Sequence, residues 1–135
     1  YDLERGTYNE QFGSLELERV TGAPRVFVIG GGGSAAALYR RLQRRGVPFA
    51  AGILPENDVE LPMARALAVE TVTERAYQPI GEATYARAEA LLRQCGNAVC
   101  CVETFGPVNE ANRRLRDAAA QAGLLRGMEN LEDIT

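Results

Sequence analysis

The chain has 135 residues, 46% hydrophobic and 24% charged, with a formal net charge of −3. That composition excludes general disorder and leaves room for one domain rather than two. All 15 basic residues are arginine, and there is no lysine, histidine or tryptophan. A phosphate-loop lysine, a Schiff base, a serine–histidine triad and a histidine-bearing zinc site are therefore excluded.

The acidic balance argues against a nucleic-acid-coating surface. Three cysteines, two of them neighbours at Cys100 and Cys101, do not read as a disulfide framework, so a reducing, cytoplasmic setting is expected. No apolar run approaches the roughly 20 residues that span a bilayer. The chain opens at Tyr1 without an initiator methionine and reads as a piece of a longer protein.

Residues 1–22 are polar and glycine-spaced and read as a linker. Arg25–Ile29 is a short β-branched run that fits a buried strand. It ends in Gly30–Gly33, and Ser34 is the expected N-cap of a helix from Ala35 to Arg45. Ala35, Leu38 and Leu42 share its inner face, with Arg40, Arg41, Arg44 and Arg45 toward solvent. Val47–Leu54 reads as a second strand, Val59–Ala68 as a helix and Val69–Thr73 as a third strand. A helix over Glu82–Cys95 follows, with Tyr85, Ala88, Leu91 and Leu92 inward. Ala98–Glu103 is the fourth strand. Pro107 opens the last helix, which reaches about Ala122 with Val108, Ala111, Leu115 and Ala119 inward. Leu124–Met128 reads as a short fifth strand, and residues 129–135 as a tail.

Strand–helix alternation predicts βαβ units and a parallel sheet covered on both faces. The expected fold is a Rossmann-like three-layer α/β domain over residues 23–128, with strand order 2-1-3-4-5.

The chemistry-bearing residues fall at one rim. Gly30, Gly31, Gly32, Gly33 and Ser34 follow a strand and open a helix, the context of an anion- or dinucleotide-binding turn. Tight strand–helix packing is the alternative use of those glycines. A ribose-binding acid belongs about 20 residues further on. That position is the apolar Ile53–Leu54; Glu56 and Asp58 come slightly later, so the fingerprint is incomplete. Asn57 and Asp58 are candidate ligand residues, Asp58 being equally a helix cap. Glu103, Asn109 and Asn112 belong to or follow the fourth strand's loop, and Glu74 and Tyr77 occupy the remaining one. The adjacent cysteines point to opposite faces of their strand and read as core. No catalytic or metal-ligating residue stands out, and no cofactor is named.

The stretch Tyr1-Asp2-Leu3-Glu4-Arg5-Gly6-Thr7-Tyr8-Asn9, then Phe12-Gly13-Ser14-Leu15-Glu16-Leu17, resembles the segment after the nucleotide-binding domain in certain ABC transporter ATP-binding proteins. These belong to the cobalamin, haem and iron-siderophore importer class. Arg25–Ser34 and Phe49–Leu54, with Asn57-Asp58, resemble that group's C-terminal extension. The resemblance implies a non-catalytic regulatory or assembly domain at the inner face of the cell membrane. Its implied partners are an ATPase domain of the same chain, a membrane permease and, in an assembly role, a second copy. No ATP chemistry carries over, because the phosphate-loop lysine and switch histidine are missing. Two other readings remain: a dinucleotide-binding (NAD/FAD-type) enzyme domain on Gly30–Gly33, and an interaction module whose glycines serve packing alone.

Overall fold

The computed structural model describes residues 25–75, 80–101 and 107–129. Nine elements alternate among the described residues: β1 (Val26–Ile29), α1 (Gly32–Arg44), β2 (Phe49–Pro55), α2 (Leu61–Leu67), β3 (Glu70–Glu74), α3 (Glu82–Cys95), β4 (Ala98–Cys101), α4 (Pro107–Gln121) and β5 (Leu125–Glu129). The expected linker over residues 1–22, and the tail beyond Glu129, lie outside the described residues.

All strand pairs are parallel. Alternate residues of β1 feed two separate cores, because successive side chains leave opposite faces of a strand. Val26 and Val28 pack with Leu38 and Leu42 of α1 and with Leu61 and Ala64 of α2. Phe27 and Ile29 pack with Tyr85, Leu91 and Leu92 of α3 and with Leu115 of α4. Cys100 and Cys101 divide between these cores as their adjacency requires. The result is the expected three-layer Rossmann-like domain.

The strand order is 3-2-1-4-5, not 2-1-3-4-5. β3 pairs with β2, placing Glu70 beside Ala50 and Thr71 beside Ala51, while β4 takes the place beside β1. The residues explain the difference. Glu70-Thr71-Val72-Thr73-Glu74 buries only Val72, which suits an edge strand. Ala98-Val99-Cys100-Cys101 is buried throughout, as an inner parallel strand must be.

The start and one face of α1 differ from expectation. α1 begins at Gly32 with Gly31 as its N-cap, so Ser34 lies inside the helix. Arg41, expected on the solvent face, is buried at 8% exposure. α3 matches its expected span and stops at Gly96, whose φ of 73° is the left-handed conformation that glycine adopts without strain.

β2 carries one irregularity with consequences for the rim. Its register against β3 shifts between Ala51 and Leu54. Within the shift the faces slip. Ile53 joins the α3/α4 core, and Leu54 joins the α1/α2 core. Both main-chain groups of Ile53 leave the ladder for the side chain of Asn112 in α4. The Ile53 N–H donates to Asn112 Oδ1 at 2.8 Å, and Asn112 Nδ2 donates to the Ile53 carbonyl at 2.9 Å.

Candidate functional site

In a sheet ordered 3-2-1-4-5 the connections reverse direction between β1 and β4. Open parallel sheets take ligands above such a reversal, outside the carboxyl ends of the strands. The turn after β1 stands at this one. Gly30 has a φ of 94°, a conformation open to glycine and strained for other residues. Its N–H donates to the Gly52 carbonyl at 3.0 Å, which ties the turn to β2. Gly31 then leads into α1, whose first amides have no partner within the helix and carry the positive end of its dipole.

Gly31 is a glycine for a different reason. A Cβ built there would collide with the Asp58 carboxylate and lie 2.7 Å from Leu54 Cδ2. Asp58 has thus folded back from the β2–α2 connection onto the glycine turn. Asp58 N–H donates to the Pro55 carbonyl at 2.9 Å, and Asp58 Oδ1 accepts the Glu60 N–H at 2.7 Å. Asp58 is not the cap of α2, whose N-cap is Glu60 without a side-chain cap bond; its Oδ1 instead holds the turn before the helix, and its Oδ2 faces Gly31. Asn57 beside it is exposed. Gly33 is exposed as well, while the side chain of Ser34 falls outside the described residues. Glu103 and Tyr77 also lie outside them. Asn109 belongs to the first turn of α4, and its side chain is likewise outside.

Asn112 is not open to a ligand. It is 1% exposed and spends its amide on Ile53. Glu74 is also a structural group. It accepts the Arg75 N–H at 3.0 Å. That bond, then those of the Thr84 hydroxyl and the Gly81 N–H, hold its carboxyl below the usual glutamate value. Glu74 therefore ties the end of β3 to the start of α3. A lowered folded-state value contributes stability above the unfolded pKa and loses it as pH falls through the folded one. Glu74→Gln should thus be less stable than the native chain at pH 7, with the gap closing in acid; urea midpoints at pH 7 and pH 3 measure it.

Tyr39 is the group that sequence reasoning missed. It is fully buried on α1, its ring stacked on Phe49 at 5.0 Å between centroids and 11° between planes. Its hydroxyl has no hydrogen-bond partner among the described residues. Burial pushes its phenol far above the ordinary tyrosine value, and Cys101, Asp58 and Glu60 add to the rise. An aromatic on the inner face of a helix reads as plain core, so only the orphaned hydroxyl distinguishes it.

A shallow groove of about 520 Å³ between α3 and α4 lies apart from this rim. Arg114 there stands 3.7 Å over the Tyr85 ring and pairs with Glu82 at 3.2 Å. Among the described residues no cluster of histidine, cysteine or acidic side chains could hold a metal ion. No helix among them is long and apolar enough to cross a membrane.

The parallel sheet, the covering helices and a glycine turn at the strand-order reversal define a Rossmann-like α/β domain. The chain belongs to the MJ0874 family, whose model matches residues 49–130, from β2 through β5. No curated protein matches the chain.

Proposed function

We propose that this chain is a non-catalytic regulatory domain of an ABC importer ATPase, and that it binds a small ligand at the crevice above β1 and β4. One observation carries the binding half: the Gly30–Gly31 turn and the start of α1 stand at the reversal of strand order. That is where open parallel sheets take ligands. The opening residues support the transporter half through their resemblance to the segment after an importer ATPase domain. The lack of histidine and lysine fits a binding role, since proton transfer at neutral pH most often uses such groups.

In this reading the partners are the ATPase domain of the same polypeptide and a membrane permease, and the domain sits at the cytoplasmic face. Ligand occupancy biases the attached motor. The test is the full-length protein with and without the segment from Arg25 onward. Deletion should leave ATP hydrolysis intact and abolish its response to added nucleotides or phosphate. Identical regulation after deletion would overturn the reading.

A further inference from the structure

We propose that the edge of the domain at the amino ends of the strands is a docking surface for an anionic lipid bilayer, with Arg25, Arg44, Arg45 and Arg65 meeting the headgroups and Val69 entering between them. This edge lies opposite the glycine turn, and the inference does not depend on ligand binding there.

Each crossover helix of a parallel sheet returns the chain to the amino edge, so the helices end there together. Arg44 lies in the last turn of α1, Arg65 in that of α2 and Arg93 in that of α3, and Arg45 is the C-cap of α1. A helix dipole favours cations at such ends. It gives no reason for Arg25, which directly precedes a strand. Main-chain bonds fix how these neighbours stand. The Val26 N–H donates to the Pro48 carbonyl at 3.1 Å, and the Val69 N–H to the Phe49 carbonyl at 2.8 Å. Arg25, Pro48 and Val69 therefore form a row across the starts of β1, β2 and β3, with Arg44 and Arg45 just before Pro48. Arg44, Arg45, Arg65 and Pro48 are exposed, and Val69 is 56% exposed. The acids toward this edge, Glu70, Glu89 and Asp117, each pair with an arginine, at 3.1, 3.0 and 3.3 Å. At the opposite edge Glu56, Asp58, Glu60, Glu82 and Glu110 gather around the helix starts. A chain with a net charge of −3 thus carries a basic pole.

The chemistry of the pole selects among anions. A protein interface is built around large apolar or aromatic anchors seated in pockets, whereas the apolar groups in this row are the small Pro48 and Val69. Single-stranded nucleic acid stacks its bases on aromatic rings, and every aromatic ring among the described residues is buried. A bilayer needs neither. Its anionic headgroups attract each arginine within a screening length of the surface. A small apolar side chain between those arginines reaches the boundary of headgroup and acyl chain. The acidic edge is repelled by the same surface, so the charge separation also fixes an orientation. The strand starts face the lipid and the glycine turn faces away from it.

The test is sedimentation of the chain with vesicles of phosphatidylcholine alone and of phosphatidylcholine with an equal part of phosphatidylglycerol. The chain should bind the anionic vesicles and not the neutral ones, although its own net charge is −3. Binding should vanish between about 0.1 M and about 1 M salt, as the screening length falls from about 10 to about 3 Å. Arg44→Gln and Arg45→Gln should each weaken it about fivefold, and Arg75→Gln at the other edge should leave it unchanged. The chain has no tryptophan, so a single one reports its own surroundings. Val69→Trp should shift its emission to the blue on anionic vesicles. Val59→Trp, at a position 84% exposed on the opposite edge, should not. Equal binding to both kinds of vesicle, or a blue shift at position 59 without one at position 69, overturns the proposal. Unchanged binding in both arginine variants overturns it as well. Tighter binding to a single-stranded RNA oligonucleotide than to the anionic vesicles at the same salt assigns the edge to nucleic acid and removes the lipid. No binding to the anionic vesicles overturns the proposal outright.

Discussion

Replacing Asn112 with alanine should cost about 2–6 kcal/mol of folding free energy, since two buried main-chain groups lose their partners at about 1–3 kcal/mol each. Ile53 sits where the β2–β3 register shifts, and it is fully buried. Its N–H and carbonyl are both satisfied by the one amide at 2.8 and 2.9 Å. Alanine supplies neither bond, and the site is closed to water. Against a typical domain stability of about 5–15 kcal/mol, that loss is a large fraction of the total. Urea denaturation measures it; a loss below about 1 kcal/mol would show that the bulge finds other partners.

Asn112→Asp sharpens the argument. The aspartate can still accept the Ile53 N–H, but it can donate to the Ile53 carbonyl only when protonated. Burial and that carbonyl favour the neutral form, so the folded-state pKa rises above the unfolded value. An acid raised in this way is least harmful below its unfolded pKa, and destabilisation grows as pH rises. The stability gap between Asn112→Asp and the native chain should therefore narrow from pH 7 to pH 4. A pH-independent gap would place the loss in packing rather than in the missing donor.

The same bulge shows where sequence reading stops. Element types and inward faces were legible because each rests on local periodicity: Ala88, Leu91 and Leu92 of α3 are buried as their spacing requires. Strand order rests on which distant strand outcompetes another. The polar flanks of Val72 were a local sign of an edge strand, but only the competition with the apolar β4 gave that sign its meaning. The glycine turn was visible as a motif, whereas the approach of Asp58 to it was not. The spacing rule points to Ile53–Leu54, and the chain instead makes a turn at Pro55–Asp58 that folds the carboxylate back. Asn112 looked like a rim residue because asparagine is an indifferent helix former. Its partner is a strand irregularity that no periodicity marks.

Gly31→Ala tests the turn itself and should cost about 2–3 kcal/mol, in the range for overpacking a filled site. The φ of Gly31 is −140°, so the backbone conformation suits any residue and the penalty is purely one of space. The added methyl meets Leu54 Cδ2 at 2.7 Å and runs into the Asp58 carboxylate. Leu54 is fully buried and has nowhere to go. Asp58 can swing toward solvent only by releasing the Glu60 N–H. The two contacts are separable by double-mutant cycles. Asp58→Ala in the Gly31→Ala background should recover about 1 kcal/mol relative to additivity, and Leu54→Ala about as much or more, because neighbours that collide do not add. Additive losses in both cycles would mean that neither side chain fills the space above Gly31, and the approach of Asp58 to the turn would fall with them.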